Sequence, residues 1–277
     1  MHPIAVLQGA IVETVTEPAA KDVALAELAV AGAVIVAGIV QAGRRYVSAA
    51  LCACGLLIAL ATLAVQVSDN GWLTSGDGAT RTWFVAQRTR SMDTAAIVIT
   101  NLGSPVAAVT LAALIGALLS WRARTALPII VMVATVCAAS AASTTLKLVV
   151  GRTRPPIETQ QVLETNYSFP SGHATSTSAI VGITVTILMI GRSRQVRAML
   201  AAVAALLIAI VAATRLYLGV HWLTDVIAGA ILGTTCAIIG ATVLYALDQR
   251  RIPVGEPDAV ISGVDSRTSH SPSARNN

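Results

Sequence analysis

The sequence is 277 residues long, 55% hydrophobic and only 12% charged, with a formal net charge of +5 and a mean hydropathy of +0.73. These values lie outside the range of soluble globular domains and inside that of chains for which the bilayer is the solvent. They exclude a water-soluble domain, and no nucleic-acid partner is expected.

Spanning the hydrocarbon takes about 20 mostly apolar residues as a helix, and seven stretches qualify: 23–43, 47–67, 95–119, 127–150, 174–190, 198–214 and 222–246. The predicted fold is therefore all-α, a polytopic membrane helical bundle. Residues 1–22, with Glu13, Glu17 and Asp22, read as an N-terminal tail. They hold no basic start region, so 23–43 does not resemble a cleaved signal peptide and is expected to persist as an extra N-terminal transmembrane helix despite Glu27. The segment from Arg81-Thr82-Trp83-Phe84 through Arg88 and Arg90 reads either as a short helix in the interface or as a connecting loop. The membrane domain is expected over 47–246. Residues 247–277, rich in Ser, Pro, Gly and Asp and without apolar periodicity, read as a disordered cytoplasmic tail.

All four Trp and all four Tyr fall at or just beyond the ends of the apolar stretches, as an aromatic belt does. Cys52, Cys54, Cys137 and Cys236 lie inside those stretches and are assigned to packing. The loops alternate in character. Gly43-Arg44-Arg45-Tyr46, Trp121-Arg122-Ala123-Arg124, the run from Gly191 to Arg197, and Arg250-Arg251 are short and basic. They carry nine Arg, against eight Lys or Arg on the other side. The positive-inside tendency puts the basic loops in the cytoplasm and the loops 151–172 and 215–221 on the extracytoplasmic face. Two crossings separate those two loops, so they share one side whatever the absolute orientation.

Three ionisable clusters stand at the ends of apolar stretches, where an unpaired charge at mid-bilayer would cost about 2.5–3.5 kcal/mol. Lys147, one of two lysines in the chain, is followed seven residues later by Arg154-Pro155. Two helical turns would put both cations on one face, although an isolated Lys at a span end commonly only snorkels to the headgroups. Pro170-Ser171-Gly172-His173 precedes the fifth stretch, with Ser171 placed to cap the helix, Gly172 allowing close backbone approach and free N–H groups suited to phosphate oxygens. Taken alone it is equally an ordinary capped helix start. Arg215 offers a planar donor fork for phosphate. His221 and Asp225, four apart, can pair so that the carboxylate fixes the imidazole tautomer and leaves the other ring nitrogen as a nucleophile. A purely structural His–Asp pair is the alternative.

Taken together, Lys147 with Arg154-Pro155, then Pro170-Ser171-Gly172-His173, then Arg215 with His221 and Asp225, resemble the three signature motifs of the type 2 phosphatidic acid phosphatase superfamily, the membrane lipid phosphate phosphatases related to bacterial haloperoxidases. Thr214 stands where the family usually has Ser, which keeps a hydroxyl. The resemblance implies a six-span phosphatase core, with 23–43 as the addition. It also implies that Lys147, Arg154, Arg215, Ser171 and the Gly172 backbone bind phosphate, that His221 attacks phosphorus with Asp225 orienting it, and that His173 protonates the leaving oxygen. No metal and no cofactor is expected. The expected substrate is a lipid phosphate or lipid pyrophosphate, such as an undecaprenyl pyrophosphate or phosphatidate, in a multi-pass protein of the cell membrane surrounded by membrane lipids. A phosphotransferase using the same histidine, or a non-catalytic transporter, are the alternatives. The sequence leaves the particular lipid and the oligomeric state open.

Overall fold

The computed structural model describes residues 3–249, with side chains described from Ala20 onward. Nine α-helices and no strand are found among the described residues: α1 (Pro3–Val40), α2 (Arg45–Ser68), α3 (Ser75–Ala86), α4 (Arg90–Leu102), α5 (Pro105–Ala123), α6 (Leu127–Val150), α7 (Gly172–Leu188), α8 (Arg194–Tyr217) and α9 (Leu223–Gln249). The tail expected over 247–277 lies, from residue 250 onward, outside the described residues. The N-terminal segment 3–22, set apart in the sequence as a tail, continues α1 as backbone helix.

Among the described residues, six segments are long and apolar enough to cross a membrane: Ala20–Val40 of α1, α2, α5, α6, α8 and α9. α7 has only 17 residues, yet it crosses by connectivity. α6 and α8 bring Lys147 and Arg215 to the same end of the bundle in their last turns, so the chain between them must travel to the far end before α8 returns. Large apolar side chains cover the outside, Val106, Leu148 and Trp121 among them, as lipid contact requires and water would not tolerate over such an area.

One expected span is drawn differently. The stretch 95–119 is broken at Gly103-Ser104-Pro105: α4 ends at Leu102 and α5 begins at Pro105. Pro105 has no N–H to donate and suits a first helical position, while Ser104 Oγ accepts from the Ala107 N–H at 3.2 Å and caps the new helix. α4 lies instead against α8, where the Tyr217 hydroxyl accepts from the Thr89 N–H at 3.0 Å and donates to Asp93 Oδ1 at 2.7 Å. Of the two readings for the segment near 81–90, the helical one holds for α3, which packs on α8 and α9.

The bundle core joins Ala108 and Ala112 of α5, Met132, Val136 and Ala139 of α6, Ala179 and Ile183 of α7, and Ala237 of α9. Within the bilayer no hydrophobic force favours helix contact over lipid contact, so close van der Waals approach decides the packing. The α7–α9 pair shows it. A Cβ at Gly229 would stand 2.5 Å from the Ser171 carbonyl oxygen, and one at Gly233 would stand 2.2 Å from that of Thr175. Two glycines one turn apart therefore let the backbones touch and set α7 against α9 at the level of Ser171. α1 rests on α2, and Glu27, the carboxyl within the first span, accepts from Thr62 Oγ at 2.8 Å. All four cysteines are free.

Candidate active site

Three chain segments converge at one end of the bundle. α6 stops at Gly151, whose φ of +63° lies in the left-handed region that ends helices at low cost in glycine. Arg154 therefore does not continue the Lys147 face of α6, as two turns of helix would have had it. The loop after α6 folds back instead and reunites the two cations: Lys147 Nζ donates to the carbonyls of Tyr167 and Ser168, and Arg154 Nη2 reaches the same Tyr167 carbonyl at 3.5 Å.

Arg154 is saturated. Its Nε donates to Asn166 O at 2.7 Å and its Nη1 to Val220 O at 2.5 Å. Nη1 also lies 3.2 Å from His221 Nε2, and Nη2 serves Glu164 Oε2 at 3.3 Å together with the Asn166 side-chain oxygen. Arg215, in the last turn of α8 and 2% exposed, donates to Thr100 Oγ at 3.0 Å and to Glu164 Oε1 at 2.5 Å. Its Nε has no partner among the described residues. Thr214 turns its hydroxyl back to the Val211 carbonyl at 2.7 Å, within its own helix.

Ser171 occupies the position before α7, but its hydroxyl does not cap the helix; it is buried and unpartnered among the described residues. Its N–H donates to the Asp225 carbonyl at 2.9 Å, which joins the start of α7 to that of α9. A Cβ at Gly172 would meet only Ser143 Oγ, at 4.0 Å, so this face of the helix start is open. The His173 imidazole has no hydrogen-bond partner among the described residues.

After α8 the chain turns through Gly219 at φ +70° and passes close under the Thr159 carbonyl. His221 follows, just before α9. Its Nδ1 faces Asp225 Oδ2 at 3.3 Å, while Nε2 faces Arg154 Nη1 at 3.2 Å. A guanidinium has only donors, so Nε2 must be the acceptor and Nδ1 must carry the proton given to Asp225. Burial, followed by Arg215, Arg154 and Lys147, pushes the His221 pKa far below the ordinary imidazole value. The ring is neutral at physiological pH, with its lone pair turned toward the cations. The charges of Arg215, Arg154, Lys147 and Glu164 act on both His221 and His173.

Four residues outside the sequence motifs, Arg152, Asp77, Thr224 and Glu164, complete this structure. Asp225 Oδ1 accepts from Arg152 Nη1 at 2.6 Å, and Arg152 Nη2 donates to Asp77 Oδ2 on α3 at 2.6 Å. Asp77 also accepts from the Thr224 N–H at 2.9 Å and its hydroxyl at 2.8 Å. Glu164 bridges Arg154 and Arg215. Arg152 stood in the sequence as one of several outer-loop charges; the density of Gly151-Arg152-Thr153-Arg154 was the one available signal. Among the described residues, no group of three or more His, Cys, Asp or Glu is placed to hold a metal ion.

Fold and site define a polytopic helical membrane protein whose cations and imidazoles gather at the ends of adjacent helices. Residues 126–249 match the model of the PAP2 superfamily. No curated protein matches the sequence. Among solved structures, the chain is similar to the first transmembrane PAP2 type phosphatidylglycerolphosphate phosphatase from Bacillus subtilis, with a TM-score of 0.63 and 24% identity over 73% of this chain and 98% of that one. A second similarity, to Aquifex aeolicus LpxE, has a TM-score of 0.43 and 22% identity over 60% of this chain and 94% of that one. The first likeness is one of fold.

Proposed function

We propose that the protein is a membrane phosphatase that removes the terminal phosphate of a lipid phosphate or lipid pyrophosphate, through a phosphohistidine, at the extracytoplasmic face. The observation that carries this reading is the neutral His221, held by Asp225 at Nδ1 and presenting Nε2 to the cations. In the first step the Nε2 lone pair forms a bond to phosphorus as the bond to the lipid oxygen breaks, and His173, entering as the imidazolium that the bound phosphate dianion favours, gives that oxygen its proton and is left neutral. Asp225 balances the positive charge that grows on the His221 ring. In the second step His173 takes a proton from water, whose oxygen attacks phosphorus. The P–N bond breaks, its electron pair returns to Nε2, and inorganic phosphate leaves.

Lys147, Arg154 and Arg215, with Ser171 and the Gly172 N–H, bind the phosphoryl oxygens, so preorganised cations carry the electrostatic stabilisation and no metal is needed. For sidedness, the positive-inside tendency favours the extracytoplasmic face more strongly once Arg152 is set aside as an ion-pair partner of Asp77 and Asp225. Lys147, Arg154 and Arg215 belong to the chemistry, and the contrast is then nine basic residues against four.

Turnover of a lipid phosphate panel by membranes carrying His221→Ala tests the assignment. Activity is expected to fall by at least about 10³-fold, roughly 4 kcal/mol in the barrier, while the protein still accumulates in the membrane. Wild-type enzyme quenched during turnover should carry an acid-labile phosphate on His221. Substantial activity in the variant would overturn the nucleophile.

A further inference from the structure

Two serines border the first turn of α7 with buried hydroxyls that have no partner among the described residues. Ser171 is one, and it belongs to the phosphate cradle proposed above. Ser143 on α6, 3% exposed, is the other. Its neighbours in the chain behave differently. Thr144 Oγ donates to the Ser140 carbonyl at 3.0 Å and Thr145 Oγ to the Ala141 carbonyl at 3.1 Å, each one turn back along α6. A serine in a helix can do the same, but the Ser143 hydroxyl is turned across the helix interface instead. A Cβ added at Gly172 would stand 4.0 Å from Ser143 Oγ, the one atom outside its chain neighbours to come that close.

The packing of α6 on α7 fixes this level. Toward the outer end Lys147 Nζ reaches the Ser168 carbonyl at 3.5 Å, and deeper in the bundle Ser140 Oγ pairs with Ser176 Oγ at 3.4 Å. Ser143 lies between the two, on the same face of α6 as Lys147 and one turn deeper. It therefore faces the start of α7, where the first N–H groups have no partner within the helix and the Ser171 hydroxyl does not cap them.

We propose that Ser143 is a further phosphate-binding residue, whose hydroxyl donates to a phosphoryl oxygen seated against Gly172 at the start of α7. The proposal rests on the phosphatase reading above and adds to it a residue that none of the three motifs contains. A hydroxyl buried without a partner destabilises a fold, and an acceptor that arrives with the substrate removes that penalty in the bound state. An anionic oxygen is the strongest acceptor for it. Ser178 and Thr184 also have unpartnered hydroxyls, but at 1.5 Å per residue they stand about 9 and 18 Å further along α7 than Gly172, out of reach of an anion at the helix start.

Calorimetric titration of the purified full chain with inorganic phosphate, paired with thermal unfolding of the phosphate-free protein, tests this. Ser143→Ala is expected to weaken phosphate binding about tenfold, as loss of a hydrogen bond to a charged group does. Its unfolding midpoint should stay unchanged or rise, because the hydroxyl removed has no partner in the chain. Ser143→Cys fills nearly the same space with a weak donor. It should bind phosphate about as weakly as the Ala variant, and it carries the test if the Ala variant does not fold. Wild-type affinity in either folded variant would overturn the proposal and leave the phosphatase reading standing. A loss of affinity accompanied by a lowered midpoint would also overturn it, since Ser143 would then serve packing. Failure of the wild type to bind inorganic phosphate would overturn the proposal and the phosphatase reading together.

Discussion

Asp225 serves two partners with different needs. Oδ2 accepts from the Trp222 N–H at 2.9 Å and faces His221, while Oδ1 takes Arg152 at 2.6 Å. A fully buried carboxylate without a counter-charge would be strongly disfavoured, and the Arg152 guanidinium supplies Asp225 with that counter-charge. Asp77 in turn grips Arg152 and the Thr224 backbone, and so fixes the direction from which Arg152 approaches. Asp77→Asn is expected to lower kcat about tenfold, about 1.4 kcal/mol in the barrier, with KM nearly unchanged. Michaelis kinetics in detergent micelles would check it; a change confined to KM would place Asp77 in substrate binding. Lys147, Arg154, Arg215, His221 and Asp225 were legible in the sequence because ionisable residues within apolar runs need a reason to be there. Asp77 was not. It lies 75 residues from Arg152, on the short helix α3 between two apolar stretches, where an acidic residue is unremarkable, and only the fold makes the pair.

At the scale of helices, hydropathy found each apolar segment, because satisfying the backbone in lipid leaves few solutions other than a helix. Punctuation decided the rest. By hydropathy the stretch 95–119 is one span, because Ala, Ile, Val and Leu carry the average across Gly103-Ser104-Pro105, whereas the chain obeys the serine cap and the proline. Likewise the sequence spacing from Lys147 to Arg154 matched two helical turns, but Gly151 ends α6 first. The contact between α7 and α9 depends on Gly229 and Gly233, and small side chains there give the Ser171–Asp225 link its register. Gly233→Leu would drive a branched side chain into the Thr175 carbonyl. It is expected to separate the two helices, cost about 1–3 kcal/mol as overpacking does, and reduce activity by more than about tenfold. Thermal stability and turnover of the same preparation would check it, and a folded variant with wild-type activity would show that the helix contact does not register the site.

For the molecule as a whole, charge is concentrated where the helices end. Arg154 and Arg215 face Glu164, Lys147 donates to the Tyr167 and Ser168 carbonyls, and Arg152 lies between Asp77 and Asp225. The three cations of the cradle exceed their internal counter-ion, and this excess is what an incoming dianion would neutralise. Turnover is accordingly expected to persist within about twofold in excess chelator, measured on washed membranes. Strict dependence on added divalent ion would contradict that arrangement. The layout of the spans was legible from composition and periodicity. The outer elements α3 and α4 were only half legible, since their amphipathic sequences resemble ordinary connecting loops until α8 is there to receive them.

The brevity of α7 has a wider consequence. Its 17 residues measure about 26 Å at 1.5 Å per residue, against a hydrocarbon thickness of about 30 Å, and its first turn coincides with the seat for the anion. Lys147 and Asp225 likewise stand about one turn inside the ends of α6 and α9. A substrate of the proposed class would therefore arrive with its tails still dissolved in the leaflet, as a solute of a two-dimensional solvent. Its mole fraction among the surrounding lipids would then govern the encounter, so dilution with inert lipid is expected to slow the reaction where dilution with buffer does not.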